Sequence, residues 1–181
     1  LDPETAHDLA IKSLKFNFIY QNKIKKNKSI ETEIFGKKIP NPIGIAAGFD
    51  KDAEVYNSLF KLGFGFVEVG TVTPLNQYGN PKPRIFRLEE DEALINRLGF
   101  NSSGSEKVRS RIISNSPKGL FGINIGPNKD TNNKEEDYLI GLRKFYNLAD
   151  YLTINISSPN TENLRSFHNE DELNKLLDLV E

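Results

Sequence analysis

The sequence predicts an α/β fold in which parallel strands are covered by helices, and two observations support this prediction. Short segments that are apolar along their whole length alternate with segments of amphipathic helical period. Polar residues also gather directly after each of these predicted strands. No GxGxxG motif opens the first unit, which disfavours a dinucleotide-binding Rossmann domain. The βα-barrel fits better, because that fold builds its active site from the carboxyl ends of its strands.

The first predicted element is a helix over residues 4–19, which begins after Asp2 and Pro3. Its apolar surface suits either packing in the core or docking on a membrane surface. A basic run at residues 23–28 is expected to be a solvated loop. The next two segments, 31–34 and 37–39, flank Phe35-Gly36 and predict a small β-hairpin.

The remaining elements form successive βα units. They are a strand at 43–47 with a helix at 52–62, a strand at 65–70 with a helix at 105–113 after a long connection, a strand at 120–125 with a helix at 134–146, and a strand at 151–156 with a final helix at 170–181. A complete (β/α)8 TIM barrel typically needs ~250 residues, so about four of its eight units are expected here. The predicted domains are therefore an N-terminal helical extension at 1–30 and the N-terminal half of a barrel at 31–181. The last helix carries no stop signal, and we expect the chain to be a piece of a longer protein.

Composition excludes several classes of function. The chain has 181 residues and a net charge of -1, which gives no overall attraction to nucleic acid. Cysteine is absent, so disulfides, a thiolate nucleophile and a Cys-ligated metal are excluded. The two histidines, His7 and His168, lie far apart in the sequence, and no metal site is expected. No apolar run approaches the ~18 residues of a transmembrane helix.

The residues with the clearest chemical potential lie where the predicted strands end. Residues 46–51 are small and include glycine, so a flat ligand could approach the backbone closely beside the charge of Lys51. The later strands end in Gly70-Thr71, in Asn124 and in residues 155–161. Each alone could be an ordinary turn or surface feature. Because barrel strands deliver these ends to one mouth, together they predict a binding site.

The long connection after the second strand, residues 79–101, is expected to be irregular but ordered, because apolar residues are interleaved along it. Connections of this length without regular structure are usually functional or disordered. Asn96 and Asn101 could exchange hydrogen bonds with an imide or a carboxylate.

Four segments carry a resemblance to a known family: residues 41–51, 63–74, 95–101 and 155–161. Together they resemble dihydroorotate dehydrogenase of class 2, the flavin- and quinone-dependent enzyme of pyrimidine synthesis. The resemblance implies oxidation of dihydroorotate to orotate through FMN, the fourth step of de novo pyrimidine biosynthesis, with electrons passed to a membrane quinone. It also implies peripheral membrane association through the N-terminal helix, on the cytoplasmic membrane of a bacterium or on the mitochondrial inner membrane. The family's remaining flavin and substrate residues should lie beyond residue 181. We therefore expect residues 1–181 alone to be inactive, to associate through open sheet edges and to hold no FMN.

The resemblance also implies roles for individual residues. FMN would be bound by Ala46, Ala47, Gly48, Gly70, Thr71, Asn124 and Asn155. Dihydroorotate would be bound by Lys51, Asn96, Asn155 and Asn160, with Leu98, Gly99 and Phe100 beside it. Ser158 matches the catalytic serine, which would remove a proton from C5 while hydride leaves C6. Thr161 and Phe100 match residues that shape the proton relay and exclude solvent, and Arg87 matches an arginine of the quinone tunnel.

Two alternative functions stay open. The first is a non-catalytic half-barrel that serves as a binding or assembly module, although such a module has no reason to retain Ser158, Lys51 and Asn96 together. The second is a class 1 relative that reduces fumarate or NAD. The N-terminal helix argues against that relative, and so does the absence of cysteine, because class 1 enzymes use cysteine as the base.

Overall fold

The computed structural model describes residues 1–16, 27–161 and 163–180 of the chain. Helix α1, Pro3–Lys15, begins at Asp2, whose side chain accepts a hydrogen bond from the Thr5 backbone N–H at 2.9 Å. This helix confirms the predicted one as far as Lys15, and the predicted residues 17–19 lie outside the described residues. The predicted hairpin is also confirmed, with strands β1, Thr32–Ile34, and β2, Lys37–Ile39.

The elements that follow are, in chain order, β3 (Gly44–Ile45), α2 (Tyr56–Leu62), β4 (Phe66–Val72), β5 (Ile85–Leu88), β6 (Ala93–Asn96), α3 (Ser105–Ser114), β7 (Leu120–Ile125), α4 (Lys134–Phe145), β8 (Tyr151–Ile154) and α5 (Glu170–Val180). Strands β3, β4, β7 and β8 form one parallel sheet in that order. Each strand therefore pairs with the strand of the next βα unit, which confirms the predicted α/β fold with four successive units of a barrel.

The two faces of this sheet differ in character. Val67, Val69 and Ile123 are fully buried in the apolar core. Helices α1, α2, α3, α4 and α5 each contribute residues to the same core. Residues of opposite parity, such as Glu68 and Asn124, point to the other face, because side chains alternate along a strand. That second face carries the polar groups described below.

Helix α2 begins at Tyr56 rather than at residue 52, which corrects the prediction. The carboxylate of Asp50 accepts hydrogen bonds from the backbone N–H groups of Glu54 and Val55, at 2.7 and 2.8 Å. Ala53 lies in the left-handed region with φ of 53°. These contacts hold residues 50–55 in a turn, and the helix can start only after it.

The connection between β4 and α3 was predicted to be irregular. The structure corrects this prediction, because β5 and β6 form an antiparallel hairpin within the connection. Most residues of this hairpin are partly or fully exposed, so no buried apolar face marked it as a pair of strands. Helix α1 packs against β5, which brings the N-terminal helix to the edge of the site. Among the described residues, no helix is long and apolar enough to cross a membrane.

Candidate active site

A cleft of about 480 Å³ lies at the carboxyl ends of the parallel strands. Strands β4 and β7 and the loops after β3 and β8 contribute to it, together with residues 96–101 at the end of β6 and beyond it. Most of the residues singled out in the sequence line this one cleft: Ala46, Ala47, Gly48, Lys51, Thr71, Asn96, Leu98, Gly99, Phe100, Asn124, Asn155, Ser158 and Asn160. The structure therefore brings together residues that are up to 114 positions apart in the chain.

Three predicted residues lie outside the lining of this cleft. Gly70 is buried, and a Cβ atom there would lie 2.4 Å from the backbone oxygen of Asn124, so glycine is needed for close packing of β4 on β7. Thr161 is also buried and lines a separate cavity that Ser158 borders as well. Arg87 is exposed on β5, where its Nη1 donates to the Leu1 carbonyl at 2.8 Å. Their proposed roles stay predictions.

A network of side chains forms the polar floor of the cleft. Thr71 Oγ1 donates to Asn124 Oδ1 at 2.6 Å. Asn155 Nδ2 donates to the same oxygen at 3.1 Å and to Thr71 Oγ1 at 3.0 Å. These three residues come from the ends of β4, β7 and β8, and each fixes the orientation of the others.

Glu68 determines the polarity of this network. One of its carboxylate oxygens accepts from Asn124 Nδ2 at 3.0 Å, and the other accepts from Thr153 Oγ1 at 2.9 Å. Because an ionised carboxylate can only accept hydrogen bonds, the amide nitrogen of Asn124 must face it. The amide oxygen of Asn124 then has to face Thr71 and Asn155.

The surface above this floor fits a flat ring such as the flavin implied by the sequence. Gly48 has φ of 110°, and a Cβ atom added there would meet no atom within 4 Å, so its backbone borders open space. Ala46 is exposed beside it, and the Gly48 N–H donates to the Gly70 carbonyl at 2.9 Å. Small residues and a fixed backbone on one side, with amide and hydroxyl groups on the other, are a suitable surface for a planar heterocycle.

Lys51 extends from the same loop and lines the cleft. Its Nζ donates to the Gly48 carbonyl at 2.7 Å. Burial lowers the pKa of Lys51 below the usual lysine value, and the charge of Arg84 adds to this effect, although Glu4, Asp52 and Asp8 oppose it. A ligand carboxylate could therefore provide an opposite charge for this partly buried ammonium.

The loop after β8 places Ser158 at the cleft. Asn155 Oδ1 accepts from the Ser157 N–H at 3.2 Å, and the Asn160 N–H donates to Ser158 Oγ at 3.3 Å. Asn160 Nδ2 reaches across the cleft to the Asn96 carbonyl at 3.4 Å. The serine oxygen is thus fixed by its own loop and has one hydrogen-bond donor directed at it.

Residues 96–101 form one side of the cleft and are called the wall. Gly99 and Phe100 both have positive φ, of 70° and 51°, so the wall turns sharply at the cleft. Its carbonyl groups are held by the segment 77–80. Gln77 Nε2 donates to the Phe100 carbonyl at 2.8 Å, and the Asn80 N–H donates to the Leu98 carbonyl at 2.9 Å.

A second cavity of about 360 Å³ adjoins the cleft beneath helix α1. Lys51, Asn96 and Leu98 line both spaces. His7 enters the second cavity from α1, and its ring makes an edge contact with Phe49 at 5.4 Å between centroids. Burial lowers the pKa of His7, and the charge of Lys51 lowers it further, so its neutral form is favoured.

Sequence reasoning assigned no role to three residues of the cleft lining: Glu68, Ser157 and Pro159. The isolated acidic residue within an otherwise apolar strand was the available signal for Glu68. Asn101 had been noted only as a possible ligand contact, and its Oδ1 is buried without a hydrogen-bond partner. In the described part of the chain, no group of three or more His, Cys, Asp or Glu residues is arranged to hold a metal ion.

Comparisons with known proteins find relatives that match almost the whole chain. A family model described as "Dihydroorotate dehydrogenase" matches residues 29–181. The chain is 53% identical to a protein of Bartonella tribocorum and 49% identical to one of Rhodospirillum rubrum, both named "Dihydroorotate dehydrogenase (quinone)", over 99% and 98% of its length. Two crystal structures of DHODH from Eimeria tenella, with ferulenol and ligand-free, match 99% of this chain with TM-scores of 0.92 and 0.93 at 42% identity.

The chain spans about half the length of these relatives. It covers 50% of the Bartonella tribocorum protein, 48% of the Rhodospirillum rubrum protein, and 50% and 52% of the two Eimeria tenella chains.

Proposed function

The chain belongs to the dihydroorotate dehydrogenase family, and on that premise we propose that the whole protein oxidises dihydroorotate to orotate and passes the electrons to a membrane quinone. This is the fourth step of de novo pyrimidine biosynthesis. The observation that carries the proposal is the convergence of Ser158, Lys51 and Asn96 on one cleft above a floor of oriented amides. The quinone-dependent relatives support the choice of acceptor.

Family membership implies a flavin, and the specific cofactor proposed here is FMN. Ala46, Ala47 and Gly48 would support one side of its ring, with Gly70 beneath them. Thr71, Asn124 and Asn155 would hydrogen-bond the ring edge, because their amide and hydroxyl groups already have fixed orientations. When bound, the flavin supplies the acceptor for the hydride that leaves C6 of dihydroorotate.

The chain's own residues would bind the substrate and move its proton. Lys51 pairs with the substrate carboxylate in a partly buried site, where a charge pair is stronger than in water. Asn96, Asn155 and Asn160 hydrogen-bond the pyrimidine ring, and the backbone at Leu98 and Gly99 lies beside it.

Ser158 Oγ would remove the proton from C5. Serine is a weak base at its ordinary pKa, so its own hydroxyl proton would pass along the relay shaped by Thr161 to water outside the cleft as the C5 proton arrives, and N–H donors that stabilise the alkoxide form would favour this transfer. The Asn160 N–H, 3.3 Å from Ser158 Oγ, offers one such hydrogen bond. Phe100 and Thr161 would keep bulk water from this proton path.

The quinone would approach through the second cavity, between α1 and the β5–β6 hairpin. Ile11, Ile85 and Leu94 supply apolar lining there, and Arg87 lies on the same face of β5 as Ile85. In this proposal residues 1–30 form the extension that faces the membrane and the quinone, and residues 31–181 form half of the flavin-binding barrel. The protein would then associate peripherally with the bacterial cytoplasmic membrane or the mitochondrial inner membrane.

Anaerobic reduction of the purified whole protein tests the proposal. Dihydroorotate should bleach the flavin absorbance, and a quinone analogue should restore it faster than fumarate or NAD. Restoration by fumarate or NAD alone would instead identify a class 1 type of acceptor. Absence of flavin from the purified whole protein would favour the non-catalytic binding module.

A further inference from the structure

Arg84 is a buried cation between helix α1 and the cleft. Only 4% of its surface is exposed. Its Nε and Nη2 donate to Glu4 of α1, with the shortest contact at 2.8 Å from Nη2 to Oε1. Its Nη1 donates to the backbone carbonyls of Tyr78 and Asn80 at 2.6 and 3.0 Å. One guanidinium therefore joins the N-terminal helix to the turn at residues 78–80.

The turn at residues 78–80 also holds the wall of the cleft, residues 96–101. Asn80 donates twice to it, through its backbone N–H to the Leu98 carbonyl at 2.9 Å and through Nδ2 to the Arg97 carbonyl at 2.8 Å. A Cβ atom at Gly79 would lie only 2.3 Å from the Leu98 carbonyl oxygen, so the two segments are in direct contact. The Arg97 N–H also donates to the Arg84 carbonyl at 2.8 Å.

The charge of Arg84 is paired by helix α1. A buried charge is costly unless it is paired, and removal of one partner leaves the other uncompensated. Glu4 provides the carboxylate, and Lys82 lies 3.5 Å from the same Oε1 but is about half exposed. Burial tends to raise the pKa of Glu4, but the hydrogen bonds and charge of Arg84 outweigh it and leave that pKa below its usual value.

We propose that Glu4 and Arg84 are positioning residues that couple the docking of helix α1 to the geometry of the wall that binds dihydroorotate. The substrate named here rests on the proposed function. Neither side chain lines the cleft where the substrate would bind. Arg84 acts indirectly, through Tyr78 and Asn80, on the backbone of Arg97 and Leu98. Coupling of this kind is reciprocal, so substrate binding at the wall should also favour the docked position of α1.

The test compares Glu4→Ala, Glu4→Gln and Arg84→Lys in the flavin-loaded whole protein. For Glu4→Ala, the dihydroorotate concentration for half-maximal rate of flavin reduction should rise roughly tenfold, within the usual range for coupling between sites. The limiting rate should change by less than about threefold, since Ser158 and the flavin are untouched. Glu4→Gln should recover part of the affinity, because its amide oxygen still accepts from the guanidinium.

Lys82→Ala is the matched control, because Lys82 faces the same carboxylate from an exposed position. It should change substrate affinity by less than about twofold, as is usual for exposed ion pairs. An equal effect of Lys82→Ala and Glu4→Ala would overturn the coupling, because it would reveal only a general effect of charge. Unchanged affinity in both Glu4→Ala and Arg84→Lys would overturn it as well.

Hydrogen exchange gives a readout that does not depend on the substrate. Backbone amides of residues 96–101 should exchange faster in Glu4→Ala than in the wild type, whereas those of β7 should be unchanged. Equal protection of the wall in the two proteins would contradict the coupling. If dihydroorotate does not reduce the wild-type flavin at all, the proposed function fails, and the exchange experiment still decides whether α1 positions the wall.

Discussion

The position of Glu68 gives a sharp prediction about the polar floor of the cleft. Glu68→Leu removes the acceptor for Asn124 Nδ2 and for the Thr153 hydroxyl. Asn124 can then turn its amide over, but its nitrogen would face Asn155 Nδ2, which is also a donor. The variant must therefore either leave a donor unpaired or break the contacts among Thr71, Asn124 and Asn155.

The size of the effect follows from the bonds involved. A hydrogen bond to a charged group contributes about 1.5–3 kcal/mol. Because a tenfold change in Kd corresponds to about 1.4 kcal/mol, FMN should bind roughly 10- to 100-fold more weakly if the ring depends on the orientation of Asn124. Fluorescence titration of the flavin-free whole protein with FMN measures this directly.

Two further variants separate orientation from charge. Glu68→Gln should retain most of the affinity, because its oxygen can accept from Asn124 while its nitrogen donates to the Thr153 hydroxyl. Thr153→Val should bind FMN within about threefold of the wild type, since it leaves the Glu68–Asn124 bond intact. Unchanged FMN affinity in Glu68→Leu, or an equally large loss in Thr153→Val, would refute the argument.

Three other predictions concern separate parts of the structure. Ser158→Ala should slow flavin reduction by about two to four orders of magnitude in stopped-flow absorbance while FMN stays bound, as expected for loss of a general base; an unchanged rate would remove Ser158 from the mechanism. The half-saturating concentration of dihydroorotate should rise with pH before the usual lysine pKa of 10.5 is reached, because the lowered pKa of Lys51 means that its charged form is lost earlier. Lys51→Arg should abolish this pH dependence. If the pH dependence persisted in Lys51→Arg, it would arise from another titrating group. Asp50→Asn should lower the free energy of unfolding by about 1–3 kcal/mol in urea titrations, since one of the two backbone donors at Glu54 and Val55 loses its acceptor; an unchanged midpoint would contradict this.

The strand order and most of the cleft could be predicted from the sequence because they depend on local patterns. Strand β7 was predicted with its observed bounds, Leu120–Ile125, since a fully buried strand is a continuous apolar run. Residues at the strand ends then had to converge, because parallel neighbours end at the same edge of a sheet. For this reason the positions of Thr71, Asn124 and Asn155 could be inferred without knowledge of any contact.

The residues that were missed depend on contacts between distant segments. Glu68 lies within an apolar strand, and its partners Asn124 and Thr153 belong to strands more than 50 residues later. The β5–β6 hairpin was missed because it is stabilised by pairing and by α1 rather than by a buried face of its own. No pattern within residues 79–101 could show that Arg84 is paired with Glu4, 80 residues earlier.

The two supports of the site should therefore be separable by measurement. Thr71, Asn124 and Asn155 are oriented by one another because the parallel strands hold them in register, with Asn124 opposite Thr153 and Val72 opposite Ile125. The wall at 96–101 lies on a connection instead, and its position depends on residues 77–84 and through them on α1. Disturbance of the first group should weaken cofactor binding more than substrate binding, because only Asn155 of that group also contacts the substrate in the proposed function, whereas disturbance of the second should weaken substrate binding and leave cofactor binding nearly unchanged. Glu68→Leu and Glu4→Ala could instead each change the FMN affinity and the dihydroorotate affinity to the same extent. The cleft would then be a single cooperative unit, and the separate roles given to the polar floor and to the wall would be wrong.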